Sequence, residues 1–476
     1  MSNRYENPLV TRYASEEMLH MFSAQKKFST WRSVWIALAE SEKELGLPIT
    51  EEQINELKAF ENNLNLERAS EIEREVRHDV MSHVHAYGEQ CPNAKGIIHL
   101  GATSAFVTGN TDVVIFKQAL TLVKNKLVNL MNNVAQFSEE HKNQPTLGFT
   151  HFQPAQMTTV GKRATLWLMD LLQDFEAIEQ AIDNLRLRGA KGTTGTQASY
   201  LNLFEDDHGK VVELDKKVCE KLGISKVFPV TGQTYSRKQD TRIINALSGI
   251  AESLHKMTND IRLLQHLKEV EEPFAKKQIG SSAMAYKRNP MRSERIASLA
   301  RYVISLGLNQ PMTTTTQWFE RTLDDSAVRR LSIPESFLGI DAILDIAINV
   351  TSGLVVYPKV IAKHVNAELP FMATENIIME GVKRGGDRQE LHEQIRVHSM
   401  AASRVVKEEG KDNDLLDRIA ADESFKLTHS EIESLLDHQL YIGRSPEQVT
   451  EFISEFVQPI LDEHKSILGH NVKLKV

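Results

Sequence analysis

The chain has 476 residues, 41% of them hydrophobic and 25% charged, with 56 basic against 64 acidic side chains and a net charge of −8. That length exceeds one hydrophobic core, so two or three domains are expected, and the composition excludes a disordered chain. Net acidity argues against nucleic-acid binding, and no apolar run approaches the roughly 20 residues of a membrane span. Two cysteines, Cys91 and Cys219, are too few for a disulfide framework or a structural zinc site. The N-terminus lacks a basic-then-apolar leader pattern, so the expected compartment is the cytoplasm.

In chain order, Thr50 to Gln53 reads as a capping box ahead of Ile54 and Leu57. It lies in an N-terminal helical domain expected over residues 1–111. After Asn110, the residues Val113, Phe116, Leu120, Val123, Leu127, Leu130, Val134 and Phe137 alternate in steps of three and four, the seam of a bundle helix. A second seam, predicted between about 155 and 187, carries Ala164, Leu168, Leu171, Phe175, Ile178, Ile182 and Leu185. A third follows Arg242 through Ile243, Leu247, Ile250, Leu254, Ile261, Leu264 and Leu267. A fourth, predicted to start near Pro334, carries Phe337, Ile340, Leu344 and Ile348. Helices of roughly 30 residues are about 45 Å long and must bury their apolar stripes against one another. Residues 112–364 are therefore predicted as a long-helix bundle, followed by a C-terminal helical domain over 365–476. There Ser445-Pro446-Glu447-Gln448 reads as a second capping box, with Pro446 at the first helical position. Convincing strands are scarce. The predicted class is all-α.

Polar, glycine-rich segments at 101–111, 147–156, 189–199 and 278–290 separate these seams and are where chemistry is expected. The last contains Gly280-Ser281-Ser282-Ala283-Met284-Ala285-Tyr286-Lys287-Arg288-Asn289-Pro290. Flexible backbone, two hydroxyls, closely spaced N–H donors and two cations could fold over an anion; the composition equally describes a solvent loop. Between Tyr286 and Arg301, five basic residues face the single acid Glu294, which suits a small polyanionic ligand or a salt-bridged helix face. His392 and His398 are six positions apart, about 120° around a helix, and make no zinc motif. His78, His83 and His85 lack ligand spacing with a carboxylate, and the 189–195 segment lacks the ending of a phosphate-binding loop.

The 280–290 segment resembles the signature Gly-Ser-Ser-x-Met-Pro-x-Lys-x-Asn-Pro of the fumarase/aspartase superfamily, except that Ala285 replaces the proline. Tyr286 to Arg295 is similar to the adenylosuccinate lyase family, its animal-type branch in particular. Thr11 to Ser15, Arg77 to Val80, His99 to Ser104, Gly148 to Pro154, Lys191 to Gln197 and Arg321 to Ser326 agree in order along the chain.

The resemblance implies three helical domains around a central bundle, no cofactor or metal, and a homotetramer with active sites shared between subunits. It implies β-elimination of fumarate from adenylosuccinate, giving AMP, and from the succinylated aminoimidazole carboxamide ribotide, giving the carboxamide. His151 then takes the general-acid position, with His78 as its partner, and Ser281 the general-base position. Arg12, Tyr13, Arg295, Arg321, Ser326 and Arg330 take positions that bind the phosphate or succinyl group, which guanidinium forks suit. Arg77 and Asp79 flank His78 in a substrate-contacting segment. Thr103, Ser104, Gln233, Lys287 and Asn289 would hold the fumarate-forming half, and Thr150 contacts substrate beside the acid. Two other readings remain: a superfamily lyase acting on argininosuccinate, aspartate or malate, and a non-catalytic protein reusing the fold. The presence of both His151 and Ser281 speaks against the second, and the arginine set against the first.

Overall fold

The computed structural model describes residues 3–275, 278–470, 472, 474 and 475. The long helices form where the seams predict them. We label α1 (Ala24–Glu44), α2 (Leu66–Val76), α3 (Asp79–Gln90), α4 (Ser104–Glu140), α5 (Val160–Asp183), α6 (Lys238–His266), α7 (Met291–Leu306) and α8 (Asp325–Thr351). At 37 residues α4 is about 55 Å long. Its eight seam residues are all buried, and one continuous core joins them to buried apolar residues of α5, α6, α7 and α8. α8 is buried almost all round from Ser332 to Thr351, so its apolar residues form no stripe; it is the helix the others surround. Inside that core Lys126 of α4 bridges Asp341 (2.5 Å) and Asp345 (2.7 Å) of α8. A lone buried charge there would be very costly; the three together are mutually compensated.

A second core holds Trp31, Trp35, Ile54, Leu57, Tyr87 and Phe106 with Tyr200, Leu214 and Val218. A third, C-terminal core gathers Ile377, Leu391, Ile395, Leu415, Phe425 and Ile432. The capping box at Thr50 and Gln53 forms as read.

Four local expectations need correction. The 145–159 region is an antiparallel hairpin, β1 (Pro145–Thr150) and β2 (Gln153–Thr159), and α5 begins only at Val160. Ser104 to Thr111, expected as part of a polar connection, already forms the first two turns of α4. α8 starts at Asp325, and Pro334 sits inside it rather than at its start. Proline has no N–H, so the Arg330 carbonyl loses the donor that its helix would normally supply. At Ser445 the hydroxyl donates to the Ile442 carbonyl (2.6 Å), and no side chain caps that helix, although proline does occupy its first turn.

Candidate active site

A cavity of about 850 Å³ opens between the start of α3, the N-terminus of α4, the 233–234 and 321–323 connections and the first turns of α8. Its walls bring together Arg77, His78, Asp79, Thr103, Ser104, Gln233, Arg321, Ser326 and Arg330 from positions up to 253 residues apart. The local folding that places them is specific. Arg77 ends α2 in the left-handed region (φ 55°), a strained conformation for a residue with a Cβ. That reversal puts His78 at the N-cap of α3, where its Nδ1 accepts the Met81 N–H at 3.2 Å. An accepting Nδ1 leaves the ring proton on Nε2, which faces the Ser104 hydroxyl at 3.4 Å. The N-cap of α4, Thr103, makes no side-chain bond, so first-turn amides of a long helix are left to meet an anion in the cavity.

The walls carry six cations (Lys27, Arg77, Arg237, Arg321, Arg329 and Arg330) against four carboxylates (Glu73, Asp79, Asp112 and Asp325). This excess favours a polyanionic occupant. Most of the arginines are braced. Arg237 (2.7 Å) and Arg321 (3.0 Å) share Asp325, which is 1% exposed. Arg329 joins Asp240 (2.7 Å), Asp112 (2.9 Å) and the Tyr235 hydroxyl (2.9 Å), tying α4, α6 and α8 together. Burial alone would disfavour its charge, but Asp240, Tyr235 and Asp112 hold Arg329 firmly protonated. Arg330 donates to Asp79 at 2.9 Å. Burial pulls the Asp79 carboxyl up, yet the bonds from Arg330 and the Val80 N–H outweigh it and leave Asp79 below its ordinary value. Lys27, Thr108, Asp112, Arg237 and Arg329 were not singled out in the sequence, and Asp325 only as part of the Arg321 to Ser326 stretch; polar residues inside or beside apolar seams are the signal that marks most of them.

The remaining expected residues lie elsewhere. Arg12, Tyr13 and Arg295 line a separate pocket of about 310 Å³, with Lys126, Asp345 and the C-terminal residues His470, Val472, Leu474 and Lys475. Both guanidinium groups approach the Tyr13 ring, at 5.9 and 5.6 Å from its centre.

Thr150 and His151 sit at the tip of the hairpin, and both are exposed. Thr150 pairs with Gln153, so His151 (φ 52°) and Phe152 (φ 57°) form a two-residue connection with both central residues left-handed. Asn-Gly is the usual choice there, because most side chains strain the backbone. A histidine in such a position carries a backbone cost that asparagine or glycine would avoid. At Gly148 a Cβ would lie 2.5 Å from the Gln156 carbonyl, so the close strand approach beside the irregular register needs glycine.

Ser281, Lys287 and Asn289 lie on the connection before α7. The Ser281 hydroxyl oxygen accepts N–H bonds from Ala283 (3.3 Å) and Met284 (3.1 Å), donors that stabilise negative charge on that oxygen. Asn289 donates to the Gly280 carbonyl (2.6 Å), and a Cβ at Gly280 would lie 1.9 Å from the Lys287 carbonyl. The pinch is closed by these two contacts. Ala285 occupies the turn bonded from Lys287 N–H to Met284 carbonyl (3.0 Å), so the turn closes without the usual proline. The Lys287 side chain is exposed. Neither His151 nor Ser281 lines either of these two cavities.

Residues 11–305 match the lyase family profile, and residues 370–452 match that of the adenylosuccinate lyase C-terminus. The chain is 54% identical to adenylosuccinate lyase of Saccharomyces cerevisiae, covering 100% of this chain and 99% of that protein. It is 46% identical to the adenylosuccinate lyase of Schistosoma mansoni, covering 99% of each. Among solved structures, the fold is similar to a fumarate lyase from Mesorhizobium sp. BNC1, with a TM-score of 0.79 at 21% identity over 96% of this chain and 100% of that one. It is also similar to the 3-carboxy-cis,cis-muconate lactonizing enzyme of Pseudomonas putida, with a TM-score of 0.80 at 19% identity over 97% of this chain and 100% of that one. The fold, the cation-lined cavity and full-length identity of this size agree: the chain belongs to the adenylosuccinate lyase family.

Proposed function

We propose that this chain eliminates fumarate from adenylosuccinate, giving AMP, and from the succinylated aminoimidazole carboxamide ribotide, giving the carboxamide. The observation that carries the reading is the cavity whose cations outnumber its carboxylates, on a chain alike in full length to adenylosuccinate lyases. Adenylosuccinate brings one phosphate and two carboxylates to such a wall.

In the proposed reaction Ser281, as its alkoxide, takes a proton from the succinyl carbon next to a carboxylate. The electron pair delocalises into that carboxylate, then forms the carbon–carbon double bond of fumarate as the C–N bond breaks. His151 gives a proton to the departing nitrogen, which makes it a better leaving group. A serine hydroxyl is a weak acid, and the two N–H bonds from Ala283 and Met284 favour its ionised form. His78, with its proton on Nε2, donates into the cavity and partners the acid.

The candidate residues fall into three groups on one chain: the large cavity, the Arg12 pocket, and the two exposed projections bearing His151 and Ser281. A homotetramer in which each site takes its groups from several copies would bring them together. Exposed apolar residues on bundle helices, Leu166 and Met169 of α5 and Leu263 of α6, favour such an assembly. The cytoplasm is the proposed location, and among the described residues no helix is long and apolar enough to cross a membrane. Domain divisions near 111 and 365 are proposed on the same reading.

The test mixes purified protein with adenylosuccinate and follows the purine absorbance and fumarate release. Loss of the substrate band with stoichiometric fumarate is expected; an inert mixture that instead cleaves argininosuccinate would reject the reading. Chains bearing Ser281→Ala and chains bearing His151→Ala, each inactive alone, should regain turnover when co-refolded. Hybrids that stay inactive would rule out sites shared between copies.

A further inference from the structure

On the reading above, we propose that Lys27 is a further substrate-binding residue, its ammonium group receiving an anionic oxygen of the substrate inside the large cavity. Four of the six cavity cations answer carboxylates at short range: Arg237 and Arg321 at Asp325, Arg329 at Asp240 and Asp112, Arg330 at Asp79. Among the described residues, Lys27 and Arg77 have no carboxylate within ion-pair distance, so the uncompensated positive charge is concentrated at those two. Arg77 stands in the substrate-contacting segment already noted. Lys27 stands on a different element, the first turn of α1, and no motif marks it.

Its surroundings hold the charge without cancelling it. The Lys27 Nζ lies 5.1 Å from the centre of the Phe28 ring and 5.3 Å from that of Trp31, contacts that attract a cation but satisfy none of its hydrogen-bond donors. Arg330 repels it, while Asp112, Asp79 and Glu73 attract it from farther off. Burial first, and Arg330 second, pull the Lys27 amine below its ordinary value. A half-buried, under-solvated ammonium facing an open cavity gains from an incoming anion, because part of its desolvation cost is already met by the fold. A phosphate and a carboxylate share that chemistry, and competition experiments separate them.

The experiment compares native assembly with Lys27→Met, Lys27→Gln and Lys27→Arg variants. Lys27→Met should raise the KM for adenylosuccinate at least tenfold while kcat falls less than threefold, and Lys27→Arg should recover most of the loss. Fumarate and inorganic phosphate are then used as competing anions: loss of fumarate inhibition places Lys27 at the succinyl end, loss of phosphate inhibition at the phosphate end. A KM within twofold of native, or arginine and methionine variants equally impaired with both anions still inhibiting, overturns the proposal. Lys27→Gln serves if the methionine variant does not fold. If the native protein leaves adenylosuccinate untouched, the functional reading fails by itself; anion-induced stabilisation against heat, present in native protein and lost in Lys27→Gln, still reports on Lys27.

Discussion

The cavity wall and the two projections that lie outside it are built on opposite principles. On the wall, arginines and aspartates from four helices are bonded to one another before any substrate arrives, as Arg329 shows by joining Asp240, Asp112 and Tyr235. At the hairpin tip and on the 280–290 connection, His151 and Ser281 are held by local backbone alone. Each sits on a segment with little packing of its own: a two-residue turn in one case, two N–H bonds and a pinch at Gly280 in the other. On the proposed reading the binding groups are braced through the core, whereas the reacting groups are held locally, His151 exposed and Ser281 half-buried. On that reading, preorganisation of the wall lowers the cost of ordering a flexible polyanion, and the exposed projections would reach a neighbour's site in the assembly proposed above.

The comparison breaks most visibly if the projections do not carry the chemistry. Ser281→Ala and His151→Ala should each lower kcat by about 10³- to 10⁴-fold with little change in KM or melting temperature, measured by steady-state kinetics and thermal unfolding. A loss confined to KM would move these residues into the binding class. On the wall the expected pattern is reversed. Arg330→Met removes the bond to Asp79, so KM should rise by about tenfold or more, while stability should fall by only about 1 kcal/mol or less because the arginine is largely exposed and screened by solvent. Asp79 should then titrate nearer its ordinary value, which carboxyl-resolved NMR would follow.

One residue behind the wall sharpens the comparison by departing from it. Glu42, on the same helix as Lys27, is fully buried with no hydrogen-bond partner for either carboxyl oxygen. Burial pushes its carboxyl from the ordinary 4.5 up to about 9. The folded state therefore keeps a proton that the unfolded chain releases, and stability falls as pH rises from about 4.5 to about 9. Glu42→Gln should flatten that slope; denaturant midpoints at pH 6 and pH 9 that differ equally in both proteins would refute this. The smallest effect is expected at the hairpin: Phe152→Gly relieves a left-handed side chain and should stabilise the protein by about 0.4–1 kcal/mol, read as a rise in melting temperature.

The helical seams were legible because burial imposes a period of three and four that survives in any sequence; every seam position of α4 is buried. The hairpin was not. Gly148, Thr150, His151, Gln153, Pro154 and Gln156 show no alternation, and only the pairing across a strained tip makes them strands. Pro334 misled the reading of α8 because proline usually opens helices; here the central helix accommodates it in its interior. Ser445 donates backward instead of capping, a choice that composition does not reveal. At the site, family resemblance named nine residues that the fold gathers into one cavity. It did not name Lys27, Arg237 or Arg329, whose significance lies in which carboxylates surround them, and that is decided only by helix packing.

The left-handed pair at the hairpin tip also has an evolutionary consequence. Random mutagenesis under heat selection would be drawn toward Asn-Gly at positions 151 and 152, the sequence such a reversal prefers. Lineages that accept it would outlast their siblings at high temperature while losing the imidazole. If His151 is the acid proposed above, survival and turnover pull against each other at two adjacent codons.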